Sequence, residues 1–227
     1  LSPGAFADQN IIMSYTNLLY FLVVIFVIAT DNAPAYPALS PLVALPLLVL
    51  VYGGYFFFCR KVFGQGGEGA RAYFARERLL SVTAVALFVI SLHGLDLKYY
   101  LHPLAFGDSL PLLENIGGLA LFFGFLVLMW IQARKAYQEV FLRVHTSLSF
   151  IASNIRANLP IILPWLLLSL FFDLLALLTI PGLQQLLVSP WGDVVMFAVF
   201  VLFLLFFFPP LVRLLWDCKP LPAGPLR

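Results

Sequence analysis

Two small groups of polar side chains are the candidates for chemistry in an otherwise apolar sequence. The first group is His93, Asp96 and His102. His93 and Asp96 are three residues apart, which places both on one face of a helix, and imidazole with carboxylate suits a metal site or a proton relay. Hydrophilic residues are also common where a helix leaves a membrane. We therefore favour a solvated helix end, with a ligand cluster and a structural ion pair between Asp96 and Lys98 as the alternatives.

The second candidate is Asp173, a carboxylate inside a long apolar run, with Ser169 one turn earlier. At about 1.5 Å per helical residue, Asp173 lies about 20 Å into the predicted fifth span. An ionised carboxylate facing lipid would cost several kcal/mol, so we expect Asp173 to point into a bundle, either protonated or bonded to a polar group such as Ser169. A transporter would use it for coupling, whereas a scaffold would use it to fix helix pairing. We favour the scaffold.

The familiar catalytic motifs do not occur in this sequence. Gly64, Gly66 and Gly69 in "GQGGEG" match G-x-G-x-x-G, but that fingerprint binds a dinucleotide only between a strand and a helix, and here it joins two apolar segments. The sequence contains no H-E-x-x-H, G-x-S-x-G or C-x-x-C. We therefore predict no catalytic residue, no cofactor site and no metal site within these 227 residues.

The composition determines which elements must position these residues. Apolar residues make up 62% of the chain and charged residues 11%, against about half and about a quarter in soluble domains. Apolar stretches long enough to cross about 30 Å of hydrocarbon as a helix recur along the chain, and they lack the alternation of a β-barrel. The sequence predicts an all-α membrane protein, a bundle of about six transmembrane helices.

The apolar runs give the positions of the six predicted spans. They cover about 11–29, 39–59, 79–97, 112–131, 159–180 and 191–212. Between the fourth and the fifth, the segment "QARKAYQEVFLRVHTSLSFIASNIRAN" has apolar residues at helical spacing with basic residues between them. This pattern predicts an amphipathic cytoplasmic helix that either lies on the membrane surface or extends the fourth span.

The placement of Lys and Arg orients the predicted spans. Positive residues in short loops stay on the cytoplasmic side, and nearly all basic residues follow an even-numbered span. They are Arg60, Lys61, Arg71, Arg76, Arg78, Arg134, Lys135, Arg143, Arg156, Arg213, Lys219 and Arg227. Lys98 falls on the opposite side, with Asp31, Asp96, Asp108, Glu114 and Asp193. We therefore predict a multi-pass protein of the bacterial inner membrane with both termini in the cytoplasm, where Cys59 and Cys218 stay reduced.

Small residues in the fourth span are candidates for close helix packing. Bilayer helices associate through small side chains that let their backbones approach. Gly117, Ala120 and Gly124 supply such positions, and Ala120 with Gly124 forms a small-xxx-small pair. We predict that they pack against neighbouring helices and take no part in catalysis.

Two blocks of the sequence resemble a known family. "SNIRANLPIILPWLLLSLFFDLL" at 153–175 and "FFFPPLVRLLWDCKPLPAGPLR" at 206–227 are similar to the membrane region of bacterial HtpX-like zinc metallopeptidases. The resemblance implies that residues 213–227 are a cytoplasmic linker towards a downstream catalytic domain, where an H-E-x-x-H helix holds zinc. None of those catalytic positions lies in this chain.

These observations leave three functions open. The first is a membrane domain that anchors a cytoplasm-facing zinc endopeptidase acting on membrane or misfolded proteins. The second is a non-catalytic subunit that packs against other proteins in a membrane complex, and the third is a small transporter that uses Asp173. The expected partners are the lipid bilayer and other membrane proteins or further copies of the chain, not nucleic acid.

Overall fold

The described residues form helices joined by short turns. The computed structural model describes residues 3–30, 33–65, 69–106, 110–142, 146–178 and 192–215, and within these ranges no strand occurs. Side-chain positions are described from residue 17 onwards, apart from 176, 193, 196, 207, 214 and 215. The predicted all-α class is confirmed.

Seven α-helices and one short 3₁₀ helix are described. The helices are α1 (Pro3–Thr30), α2 (Pro41–Gly64), α3 (Ala70–Gly94), α4 (Leu97–Leu101), the 3₁₀ helix His102–Ala105, α5 (Pro111–Phe141), α6 (Ser147–Leu177) and α7 (Gly192–Leu215).

Local sequence explains where these helices begin and end. Ser40 precedes α2 in an extended conformation and Pro41 occupies the first turn, where its missing N–H is no loss. Gly69 precedes α3 with φ 99°, a conformation that glycine adopts without a steric penalty. The Thr146 hydroxyl accepts a hydrogen bond from the Ser149 N–H at 3.2 Å, as an N-cap does. Leu142 ends α5 in the left-handed region.

Contacts between helices divide the chain into two units, Leu1–Ser153 and Asn154–Arg227. In the first unit α5 packs against α2 and α3, and α1 packs against α3 and α5. The Phe122 ring of α5 meets Phe21 of α1 and Phe88 of α3 edge-on, with centroids 5.5 and 5.6 Å apart. All three side chains are buried, so α5 is the helix around which this unit is built.

The second unit is described by α7 and most of α6. Phe171 of α6 and Phe200 of α7 have ring centroids 5.8 Å apart, and Ile162 and Phe200 are buried. Prolines stand inside both helices, at Pro160 and Pro164 in α6 and in the pair Pro209 and Pro210 in α7. Each removes one backbone donor from its helix.

Several of the described helices are long and apolar enough to cross a membrane. Pro41–Gly64, Pro111–Phe141 and Ser147–Leu175 meet that condition singly, and Ala70–Gly94 meets it together with Leu97–Ala105 although the pair is bent by 79°. Asn17–Thr30 and Phe197–Phe206 are shorter apolar helices. Each of the six predicted spans overlaps a helix over most of its described residues, but residues 39–40, 95–96 and 178 are described and lie outside the helices. The number six stays a prediction.

The predicted amphipathic helix between the fourth and fifth spans is not a separate element in the structure. Helix α5 continues ten residues past the predicted end of the fourth span to Phe141, and α6 already begins at Ser147. Leu142 interrupts them with φ 53°, a conformation that cannot continue a right-handed helix. The first part of the segment therefore extends α5, as one of the two alternatives expected, and its last part belongs to α6.

Candidate functional site

A group of polar side chains in mutual contact lies at the end of the first unit where α3 stops. Glu114, in the first turns of α5, has Oε2 3.2 Å from Nδ1 of His102 and Oε1 3.7 Å from Nζ of Lys98. Lys98 Nζ also donates to the Ile28 carbonyl at 2.6 Å. The Lys98 and Glu114 side chains are each only 11% exposed. We call Lys98, His102 and Glu114 the polar clasp, because they tie α4 and the 3₁₀ helix to α1 and α5.

A sharp bend of the chain positions the clasp. Asp96 adopts φ 49°, the left-handed conformation that Asp tolerates better than most residues, and α4 departs at a steep angle to α3. The Asp96 Oδ2 accepts a hydrogen bond from the Ala38 N–H at 2.6 Å, and the Tyr100 hydroxyl donates to the Leu39 carbonyl. These bonds hold the α1–α2 connection against α4.

The structure does not give His93 and Asp96 the shared helix face on which the alternative of a ligand cluster with His102 depends. Helix α3 ends at Gly94, before Asp96, so His93 and Asp96 do not share a helix face. His93 is exposed, Asp96 bonds to Ala38, and His102 faces Glu114. Lys98 pairs with Glu114, whereas Asp96 was the partner suggested by proximity in sequence. Within the described part of the chain no three His, Cys, Asp or Glu residues are grouped to hold a metal ion.

Glycines of α5 make the close contacts expected of small residues. A Cβ at Gly117 would lie 3.0 Å from Leu101 and Leu104 side-chain atoms, and one at Gly118 would lie 3.0 Å from Ile28. At Gly124 it would lie 2.9 Å from the Tyr52 hydroxyl. Ala120 is exposed. The close approach in the first unit therefore uses glycines on the buried side of α5, while the Ala120 side chain points away from it.

Two tyrosines of α2 make further contacts with α5 and α3, in the middle of the first unit. The Tyr52 hydroxyl donates to the Leu121 carbonyl at 2.5 Å and its ring stacks on Phe125 with centroids 4.1 Å apart. The Tyr55 hydroxyl donates to the Leu80 carbonyl at 3.1 Å. Cys59, one turn further along α2, is a buried free thiol. Sequence spacing gave no signal for these bonds, because each joins residues far apart in the chain.

The opposite end of the first unit is held by aromatic rings. We call the set Phe63, Tyr73, Phe74, Tyr137, Phe141 and Phe150 the aromatic cluster. Tyr73 is 3% exposed, and its ring centroid lies 5.8 Å from those of Tyr137 and Phe141 and 6.0 Å from that of Phe63. Tyr137 in turn lies 5.0 Å from Phe150. The cluster therefore joins the end of α2, the start of α3, the end of α5 and the start of α6.

Glu77 is a polar residue that lies outside the candidates named from the sequence. It is one turn beyond Tyr73 on α3, and its Oε2 atom is buried with no hydrogen-bond partner in the structure. In the sequence it stands between Arg76 and Arg78, a context typical of a solvated loop end. Only the helix direction, which turns Glu77 inward with Tyr73 and Leu80, separates it from its exposed neighbours.

In the second unit Asp173 is buried, with 6% of its surface exposed. It lies four residues after Ser169 on α6, as the sequence indicates. Asp173 and Ser169 each take part in a hydrogen bond or an electrostatic interaction. Asn158, also buried, donates from Nδ2 to the Asn154 carbonyl one turn earlier at 2.8 Å. The intramembrane position predicted for Asp173 thus corresponds to a buried site on a helix.

Some predicted features lie outside the described residues. These are Gly66 of the glycine-rich motif, Asp31, Asp108, Arg143, Cys218 and residues 216–227 of the predicted linker. Comparison with known proteins adds no assignment, since no protein-family model, curated protein or solved structure matches the chain.

Proposed function

We propose that this chain is a multi-pass domain of the bacterial inner membrane that anchors a cytoplasm-facing zinc endopeptidase. The observation that carries the proposal is the resemblance of residues 153–175 and 206–227 to the membrane region of HtpX-like metallopeptidases. The polar clasp, the glycine contacts and the aromatic cluster support it, because they all join helices to one another. Such side chains hold a scaffold together and leave the chemistry to another domain.

The distribution of charge within the first unit supports the proposed orientation. The contacts of Tyr73 with Phe63 and Tyr137 place the end of α2, the start of α3 and the end of α5 side by side. Arg60, Lys61, Arg71, Arg78 and Lys135 are exposed there. The clasp lies at the other end of α3 and α5. By the positive-inside rule, the end with the aromatic cluster faces the cytoplasm and the clasp faces outward.

Zinc does not fit the described residues of this chain, which offer no group of three suitable ligands. Under the proposal, the metal and its ligands belong to a domain that follows in the full protein. The membrane domain then acts by holding that domain at the inner face of the membrane, close to membrane and misfolded protein substrates.

The proposal is tested on the protein as the cell makes it. We expect the native product to be much heavier than 25.4 kDa, to contain H-E-x-x-H after this region and to copurify with zinc. A native product of about this mass without that motif would contradict the proposal and favour a non-catalytic subunit. Membrane-impermeant labelling of cysteines placed at Arg71 and Tyr36 checks the orientation, with labelling of intact cells expected only at Tyr36.

A transporter is the second candidate, and the burial of Asp173 within an apolar helix is the observation that favours it. Ionisable groups inside a membrane commonly mark ion or proton pathways. Purified protein in liposomes would then show ion or proton flux that Asp173→Asn abolishes and Ser169→Ala alters. Equal flux in protein-free liposomes would exclude transport of the ions tested.

A further inference from the structure

The segment after α3 turns aside from the direction of its helix. Helices Ala70–Gly94 and Leu97–Ala105 meet at a break and are bent by 79°. We call Leu97–Ala105 the cross-limb. If α3 crosses the bilayer, a limb at this angle runs close to the plane of the membrane, since spanning helices tilt by only about 20° on average.

The inner side of the cross-limb is fastened to the rest of the first unit. Leu97 and Ala105 are 5% and 1% exposed, and Leu101 packs on Gly117. Lys98 reaches inward to Glu114 and the Ile28 carbonyl. The Lys98 ammonium group is thus turned towards the protein. On a helix whose outer side faces water, a lysine would usually point outward.

The outer side of the cross-limb carries large apolar side chains. Leu104 is 44% exposed although its Cδ1 atom also lies against Gly117 of α5, and Phe106, the next residue after the limb, is 69% exposed. Phe106 adopts φ 49°, a conformation that bulky residues rarely take. That conformation ends the 3₁₀ helix with the Phe106 N–H bonded to the Pro103 carbonyl at 3.3 Å, and it leaves the ring outside the protein core.

We propose that the cross-limb is an interfacial anchor. It lies along the outward-facing surface of the inner membrane, with Leu104 and Phe106 inserted at the boundary between headgroups and acyl chains. The occupant of this apolar side is the lipid bilayer. The steep angle to α3 directs the limb along the plane of the membrane. Lys98 is turned inward, and His102, 42% exposed, is in contact with Glu114. Amphipathic segments of this kind bury their apolar side about 5–10 Å into the boundary. The inference rests on the proposed topology for the choice of leaflet, and it does not depend on a protease domain.

Spin labels on single cysteines measure this depth in liposomes. The full chain carries Cys218→Ser, while Cys59 is retained because it is fully buried and is checked for lack of labelling. Leu104→Cys and Phe106→Cys are the test positions. Leu50→Cys, exposed near the middle of α2, is the deep reference, and Glu139→Cys, exposed near the end of α5, is the reference at the other end.

Collision with oxygen and with a water-soluble nickel chelate then gives the depth of each label. We expect labels at 104 and 106 to lie about 5–10 Å below the phosphates, shallower than 50, and to be reached by chelate only from the outer side. If the chelate reaches the labels at 104 and 106 as readily as it reaches an aqueous loop, the proposal is overturned. A depth equal to that of position 50 would also overturn it, because the limb would then be re-entrant. If the label at position 50 is also shallow, the proposed membrane insertion of the chain is itself refuted. Failure of the anchor proposal and failure of the proposed membrane location therefore give different results.

Discussion

The two ends of the first unit are held together by different physics. At the end with the polar clasp, Glu114 lies close to both Lys98 and His102, and Asp96 accepts a hydrogen bond from a backbone N–H of the α1–α2 connection. At the other end the helices meet through six aromatic rings, and the neighbouring basic side chains of Arg60, Lys61 and Arg71 are exposed.

This difference follows from where each kind of residue can be satisfied. The cations at the aromatic end extend into solvent or towards lipid headgroups, so they add little to helix packing. At the clasp a single Lys turns inward and must be matched there, because a buried charge without a partner is costly. Charged side chains therefore contribute more to helix packing at the clasp, although that end has fewer of them.

The first prediction tests the aromatic end, where we expect the largest effect. Tyr73→Ala removes the ring that touches Phe63, Tyr137 and Phe141 and should lower the free energy of unfolding by about 4 kcal/mol, as large-to-small core changes do. Tyr73→Phe keeps the ring and is the control, with a loss below about 1 kcal/mol. Unfolding in mixed detergent micelles measures both. Equal losses for the two variants would show that the hydroxyl, not the ring packing, stabilises this end.

The second prediction tests the clasp. Glu114→Ala leaves Lys98 inside without its carboxylate and should lower the free energy of unfolding by about 3 kcal/mol, the lower part of the range for breaking a buried pair, since Lys98 keeps the Ile28 carbonyl. Glu139→Ala, an exposed acid of the same helix, is the matched control and should change stability by less than about 0.5 kcal/mol.

Lys98→Met combined with Glu114→Leu sharpens this second test. The double variant should recover most of the stability lost in Glu114→Ala, because an apolar pair of similar size often replaces a buried ion pair without loss. If Glu114→Ala proves no worse than Glu139→Ala, charge pairing does not hold this end and the contrast between the ends disappears.

The third prediction concerns the layer that joins the two ends. Gly124→Ala places a methyl group 2.9 Å from the Tyr52 hydroxyl and should cost about 2 kcal/mol through overpacking and displacement of that bond. Gly54→Ala is the control, since nothing lies within 4 Å of a Cβ there, and alanine should be neutral or stabilising by up to about 1 kcal/mol. Thermal unfolding ranks the two. A tolerated Gly124→Ala would indicate that α2 and α5 can separate locally without loss.

The sequence predicted features that depend on local composition, and missed those that depend on distant partners. Apolar runs located the helices, and the basic residues marked one end. The pairing of Glu114 with Lys98 and His102 required knowing that the chain bends sharply at Asp96, whose left-handed conformation has no strong signal in "GLDLK". The expected i, i+3 arrangement of His93 and Asp96 assumed a helix that in fact stops at Gly94.

The same distinction explains the small residues and the segment after the fourth span. Spacing within α5 identified Gly117 and Gly124 as packing positions, but the side of the helix that faces a neighbour depends on where α2 and α4 lie. Ala120 was therefore grouped with Gly124 although it points outward. Helical periodicity likewise continued through Leu142, because a single left-handed residue that breaks a helix leaves the apolar pattern unchanged.

The smallest predicted effect concerns Glu77, an acidic residue at the aromatic end. Its Oε2 atom is buried beside the aromatic cluster without a hydrogen bond, and burying a polar group in that state is unfavourable. Glu77→Met fills a similar volume without the orphan oxygen, so it should raise the free energy of unfolding by about 1 kcal/mol. Glu77→Ala, which removes the oxygen but leaves a cavity, is the control and should be less stable than Glu77→Met. If both variants are equally destabilised in the same detergent unfolding assay, the carboxyl group has a stabilising partner there, and the aromatic end would depend on a polar contact as the clasp does.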